Sequence, residues 1–229
     1  MRGREGRGRM DIELHYTEEG SGEPLVLLHG NGEDGSYFKG QVAHFRNDYR
    51  VIAVDTRGHG QSPRGTAPLT LEQFARDLAD FMDGIGVESA HMLGFSDGAN
   101  IALLFALEHP ERVRSLVLNG GNLFPDGLTE QTRREIDEEY RQAFAAGDEG
   151  QLELLRLMID EPHIDPSSLA ALHMPVLVIA GTDDMIEERH TRLMAESIPG
   201  SRLAFVEGSH FVASENPDAF NRVVGEFLG

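Results

Sequence analysis

Six short apolar runs recur along the chain: Pro24–Leu28, Val51–Val54, Ala90–Leu93, Ser115–Leu118, Pro175–Ala180 and Leu203–Val206. A helical pattern fills most of the gaps between them. Runs that are apolar at consecutive positions suit strands buried on both faces. Strands alternating with helices then point to an α/β fold, a mostly parallel sheet joined by right-handed crossovers and flanked by helices. A length of 229 residues accommodates one such core and not two full domains.

The clearest helix is marked by Leu71, Phe74, Ala75, Leu78, Met82 and Ile85, which fall on one face at helical spacing. Thr70 and Gln73 precede it in a capping-box pattern. The stretch Ala99–Leu107 is apolar nearly all round, as a buried helix should be, and stops at His109-Pro110. A last helix is expected over Pro217–Leu228, and the alternating segment Ile12–Tyr16 reads as an antiparallel edge strand. The alternation breaks once. Residues 122–173 carry helical character, no strand run, and twelve acids against four arginines. A connection so long is expected to fold into a helical cap, or lid. The chain then divides into a basic tail at 1–10, expected to be disordered, a core of 11–121 and 174–229, and the insertion at 122–173.

Composition excludes several function classes. Twenty basic against 39 acidic residues leave a net charge of −19, which repels phosphate backbones and anionic lipid, so no nucleic acid and no membrane partner is expected. No apolar run is long enough to span a bilayer. The basic Met1–Arg9 is followed by no apolar stretch of a secretory signal. The absence of cysteine removes disulfides, thiolate metal sites and a cysteine nucleophile, and fits a cytoplasmic location. Self-association into a homo-oligomer is left open.

Between the run Ala90–Leu93 and the helix from Ala99 lies Gly94-Phe95-Ser96-Asp97-Gly98. A strand turning sharply into a helix strains the residue at the apex, and glycines on either side let the two elements pass closely. Ser96 would then present its hydroxyl to open space. A serine hydroxyl is a weak nucleophile at neutral pH, so it needs an imidazole base oriented by a carboxylate. Later in the chain, two loops that follow apolar runs supply these in order. Gly181-Thr182-Asp183-Asp184 offers the acid, with either aspartate eligible, and Gly208-Ser209-His210-Phe211 offers the base. All three would open at the carboxyl edge of the sheet, where such folds place their sites. Oxyanion donors are expected from the backbone amides of Asn31, in His29-Gly30-Asn31-Gly32, and of Asp97. Tyr37, Phe95, Phe124, Met185 and Phe211 are the candidate apolar lining of a substrate pocket.

A rival reading exists. Gly30-Asn31-Gly32-Glu33-Asp34-Gly35 spells Gly-x-Gly-x-x-Gly after a strand, with Asp55 twenty residues beyond Gly35, as in a dinucleotide-binding loop. Glu33 and Asp34 would set two negative charges beside a pyrophosphate, and the reading leaves Ser96, Asp184 and His210 as coincidence.

From about Leu25 to Leu228 the chain resembles the α/β-hydrolase superfamily. The matching segments are His29-Gly30, the Asp-x-Arg-Gly-x-Gly-x-Ser loop at 55–62, the turn at 94–98, and the late Gly-x-x-Asp and Gly-x-His segments. The resemblance implies an eight-stranded or slightly reduced sheet, a helical cap over the site, and a serine hydrolase mechanism with no cofactor and no metal. It selects Asp184 over Asp183, and it implies that Asp55, Arg57 and His59 brace the floor of the site. Ser96 stands where haloalkane dehalogenases and epoxide hydrolases carry aspartate, and Asn31 stands where cofactor-free haloperoxidases often carry an aromatic residue. Asp97 after the nucleophile also occurs in relatives that cleave amino-acid esters. The expected activity is hydrolysis of carboxylic esters with small to medium acyl groups, on a small-molecule substrate through an acyl-enzyme. The alternatives are a carbon–carbon hydrolase, a lactonase or an acyltransferase using the same triad. A non-catalytic ligand sensor is the outlying reading.

Overall fold

The computed structural model describes residues 11–229; the expectation of a disordered tail at 1–10 lies outside the described residues. Among the described residues, seven strands, β1 (Tyr16–Gly20), β2 (Glu23–Leu28), β3 (Tyr49–Val54), β4 (Ala90–Phe95), β5 (Val113–Asn119), β6 (Val176–Asp183) and β7 (Arg202–Ser209), form one sheet. Their spatial order is β1-β3-β2-β4-β5-β6-β7. β1 runs antiparallel to β3, and the other pairs are parallel. This is the reduced form of the expected sheet. Among the described residues, eight α-helices accompany it: α1 (Lys39–Phe45), α2 (Leu71–Gly84), α3 (Asp97–Glu108), α4 (Glu130–Ala146), α5 (Glu149–Asp160), α6 (Glu188–Ser197), α7 (Val212–Glu215) and α8 (Pro217–Leu228).

The apolar runs explain the layering. Successive strand residues point to opposite faces, so Val26 and Leu28 join one core while Leu25 and Leu27 join the other. The first core is closed by α2, α3 and α6 through Phe74, Leu78, Phe105 and Met194; the second is closed by α1 and α8 through Phe45, Phe220 and Val224. Both faces being covered, the central strands have no reason to alternate polar with apolar. Among the described residues, no helix is long and apolar enough to cross a membrane.

Two local expectations need correction. The antiparallel edge strand spans Tyr16–Gly20 rather than Ile12–Tyr16. Ladder pairing with β3 begins only at Tyr16, opposite Val54. Upstream, Leu14 is buried and His15 is held by the loop after β3: its amide donates to Ser62 Oγ at 2.8 Å, and its carbonyl accepts from the Asp55 amide at 3.0 Å. The alternation at 12–16 thus reflects packing over the end of β3. The capping box of α2 forms only in half. Thr70 Oγ1 accepts from the Gln73 amide at 3.1 Å, but the Gln73 carboxamide donates to Asp77 Oδ1 at 2.8 Å instead of reaching back. Asp77 draws it away because that carboxylate anchors the fully buried Arg57, at 2.6 Å from Nε and 2.8 Å from Nη2.

Residues between β5 and β6 fold as α4 and α5, followed by a short 3-10 helix at Pro166–Ala171. Leu128, Ile136, Ala143, Leu152 and Leu155 make a third, separate apolar cluster with Ile186 of the loop after β6. The insertion is therefore seated on the same loop that carries Asp184. Backbone bonds from Thr129 to Met185 and from Glu187 to Gly127, both 2.9 Å, complete the seat.

Candidate active site

Ser96 has φ 54° and ψ −121°, and among the described residues it is the one non-glycine with a positive φ. Such a conformation costs roughly 1–3 kcal/mol and persists only where surroundings impose it. The surroundings here are visible. A Cβ on Gly94 would sit 2.2 Å from the Gly98 carbonyl oxygen, and one on Gly98 would sit 2.0 Å from that of Leu28. β4 and α3 therefore approach as closely as backbone allows, and the chain turns between them at Ser96.

His210 follows β7 and is buried. Its Nδ1 lies 2.7 Å from Asp184 Oδ1, with both side chains about 5% exposed or less. Asp184 also accepts from the amides of Ile186 at 3.0 Å and Gly181 at 3.2 Å, so its position is fixed from three sides. A register shift between Gly181 and Asp183 turns the chain at this point. Asp183 remains exposed at the end of β6. Among the described residues His210 Nε2 is buried and without a hydrogen-bond partner, so it does not hydrogen-bond the Ser96 hydroxyl in this structure. Such bonds often tighten only once substrate is bound.

The loop after β2 lies against the nucleophile. A Cβ on Gly30 would be 3.0 Å from Ser96 Cβ, and the next residue is Asn31. The Asp97 amide is the first of α3 and has no acceptor within that helix. His29, 1% exposed, accepts from the Thr56 amide through Nε2 at 3.0 Å while Nδ1 meets the Gly30 carbonyl at 2.7 Å. Burial pushes its pKa down to about 4, so it braces the two loops as a neutral ring. Asp55 accepts from the amides of Gly35 at 2.8 Å and Gln61 at 2.9 Å, and pairs with His15 at 2.8 Å. Its oxygens are thus taken, and Gly35 opens only the four-residue 3-10 turn Gly35–Phe38. A dinucleotide loop needs a free acid and a long helix there, so that rival fails.

The five candidate pocket residues separate. Phe95 is 1% exposed and belongs to the core; it stacks on Tyr37 at 4.3 Å and lies 4.8 Å from the His210 ring, making a floor under the imidazole rather than a wall open to substrate. Phe124 covers His190 edge-on at 4.5 Å, and Met185 packs into the seam beneath the insertion. Phe211 is 41% exposed beside His210 and remains available to a ligand.

Three groups escaped the sequence reading. Gly120, at φ 62°, follows β5, and a Cβ there would fall 2.8 Å from His210 Cε1 and 2.9 Å from Nδ1. Its signal was a glycine pair placed directly after a strand. Gly120→Ala is expected to displace the imidazole and lower kcat about 10²-fold, the penalty of a shift near 1 Å, with the far-ultraviolet spectrum unchanged. The second group is the Asp97 carboxyl, which desolvation raises to about 6 while the Asn31 carboxamide and His210 oppose the shift. The third is Glu161, raised by desolvation, with Asp97 among the nearby acids adding to it.

Asp97 has a consequence for stability. Unfolded, it titrates near its ordinary 3.8; folded, near 6. Between those values the folded form holds the extra proton, so stability falls as pH rises through the window. Above it the ionised carboxylate costs roughly 2 kcal/mol, discounted because the group is partly exposed. Asp97→Asn is expected to raise Tm at pH 8 by about 4–8 °C and to leave it nearly unchanged at pH 4. Calorimetry at both pH values checks this.

A model of the alpha/beta hydrolase fold matches residues 23–157. The chain belongs to that family. RutD of Azorhizobium caulinodans, whose name proposes a carbamate hydrolase, is 29% identical, with 96% of each chain covered. The 2-hydroxy-6-oxononadienedioate/2-hydroxy-6-oxononatrienedioate hydrolase of Burkholderia vietnamiensis is 30% identical, covering 95% of this chain and 91% of its own. The structure of a thermophilic esterase from Thermogutta terrifontis superposes with TM-score 0.78 at 26% identity, covering 95% of this chain and 93% of its own. The hydrolase family, its fold and its mostly parallel sheet are thereby established for this α/β hydrolase, and with them a hydrolase activity.

Proposed function

We propose that this hydrolase cleaves carboxylic esters of small to medium acyl compounds through a serine acyl-enzyme. The observation that carries the reading is the strained Ser96 turn set at the same sheet edge as the His210–Asp184 pair at 2.7 Å. Ser96 Oγ attacks the carbonyl while His210 Nε2 takes its proton. Asp184 holds Nδ1–H and steadies the imidazolium. The tetrahedral oxyanion is received by the amides of Asn31 and Asp97. His210 then protonates the leaving alcohol, and water releases the acyl group by the same route.

Charge favours esters over the alternative substrate type. The Burkholderia relative is named as a hydrolase of dicarboxylates, an oxononadienedioate and an oxononatrienedioate. Here Asp97 adjoins the nucleophile and adds to the upward push that burial gives Glu161, and a substrate carboxylate brought close to such acids in a partly desolvated site is repelled by several kcal/mol. Uncharged acyl groups avoid that penalty. The test is a panel of aryl esters from acetyl to octanoyl beside an enol-lactone and a vinylogous diketone dicarboxylate. Neutral esters are expected to exceed the dicarboxylate in kcat/KM by at least about tenfold, a margin that repulsion of about 1.4 kcal/mol supplies. The opposite ranking would replace this reading with the carbon–carbon hydrolase.

A further inference from the structure

The side chain of Asn31 makes contacts that an oxyanion donor does not need. A carboxamide nitrogen carries two hydrogens, and here both are spent. Asn31 Nδ2 donates to Asp97 Oδ2 at 3.1 Å and to the Leu154 carbonyl of α5 at 2.9 Å. One atom thus ties together the loop after β2, the start of the nucleophile helix and the middle of the insertion.

The flanking residues make that atom matter. Gly30 and Gly32, the latter at φ 73°, offer no side chain with which to anchor the loop. Gly30 could not carry one, since its Cβ would meet Ser96 Cβ and the Phe95 ring at 3.0 Å. The insertion has other ties, but they lie to either side. Arg64 grips Glu153 at 2.7 and 2.9 Å with both partners more than a third exposed, a pair worth about 0–1 kcal/mol. Glu161, beyond α5, accepts from the Leu71 amide at 2.7 Å. Neither contact reaches the nucleophile's own turn.

We propose that the Asn31 carboxamide is a positioning residue that fastens α5 over the Ser96 turn and, through that fastening, sets how tightly the acyl group is held. The proposal rests on the ester-hydrolase reading for its kinetic consequence, but the fastening itself is independent of it. When substrate fills the site, α5 is held against it by a bond to the same loop that presents the oxyanion amide. Loss of the carboxamide leaves that amide in the chain, so substrate binding suffers before chemistry does.

Asn31→Asp is the decisive variant, because it keeps shape and volume, removes both donors, and sets a carboxylate beside Asp97. Asn31→Ala removes the donors without the added charge. Hydrogen exchange of Glu149–Asp160 at pH 8 is expected to quicken by about tenfold in Asn31→Ala, the worth of about one net hydrogen bond, and further in Asn31→Asp, with α2 and α3 unchanged. Asp97→Asn still offers an oxygen to the donor, so its exchange stays no faster than wild type. For the ester turned over best, KM is expected to rise about tenfold in Asn31→Ala, a larger change than in kcat, whereas the carboxylate of Asn31→Asp faces the developing oxyanion and is expected to lower kcat as well. Unchanged exchange over α5 in Asn31→Asp would overturn the fastening. A fall in kcat at constant KM, with exchange unaltered, would show that the side chain only aims its own amide. Absence of ester turnover in the wild type would strike the ester reading alone, because the exchange result stands without substrate.

Discussion

Ser96→Ala should lower ester turnover by about 10⁴- to 10⁶-fold, because members of such a triad act as a unit and the loss of one removes nearly the whole benefit. What remains would come from binding and the two oxyanion amides. The substitution should also relieve none of the turn's strain, since alanine at φ 54° is no more comfortable than serine. The folded protein should therefore persist with nearly unchanged Tm. A residual rate above about a tenth of wild type would remove Ser96 from the chemistry. A fluorophosphonate that labels the wild type and spares Ser96→Ala would identify the nucleophile directly.

The second large effect belongs to the acid. Asp184→Asn should cost about 10⁴-fold in kcat, because an amide can donate where the carboxylate accepts and so favours the wrong imidazole tautomer. Asp183→Asn should stay within about threefold of wild type, as that side chain is exposed and outside the His210 contact. The two variants differ by one position and share one composition, so the contrast separates a specific role from a general loss of charge. A reversed order would move the triad acid to Asp183.

The neighbouring aspartates also show where reading a sequence stops. Nothing in Thr182-Asp183-Asp184 by itself distinguishes one acid from the next, and the family pattern made the choice. In the structure the decision comes from the register shift at Gly181 and Asp183. A Cβ on Gly181 would lie 2.0 Å from the Ser209 carbonyl oxygen, so the ends of β6 and β7 nearly touch, and the residue after the shift faces His210. Ser96 was legible for the opposite reason. Its strain, its glycines and its strand-to-helix context are all local, spanning five consecutive residues.

The fastening of α5 lay beyond any local signal. Asn31 and Leu154 are 123 positions apart, and asparagine after His-Gly has no pattern that predicts an acceptor in a helix of the insertion. The candidate pocket residues separated for the same reason. Phe95 and Tyr37 are aromatic residues near the nucleophile in sequence or motif order, yet Phe95 is buried in the second core and the half-buried Tyr37 stacks against it. Hydrophobicity says that a side chain leaves water; it does not say whether protein or substrate covers it.

By itself the sequence determined the elements and the chemistry carried within single turns. Consecutive apolar residues admit a strand only between two covered faces, helical spacing admits one buried stripe, and closely set glycines admit a serine at the apex of a tight turn. Tertiary structure alone decided which aspartate meets the imidazole, where the edge strand begins, which aromatics stay dry, and what holds the insertion down. Those outcomes depend on hydrogen bonds and contacts between residues far apart in the chain, whose geometry exists only once the sheet has set the spacing of its strand ends.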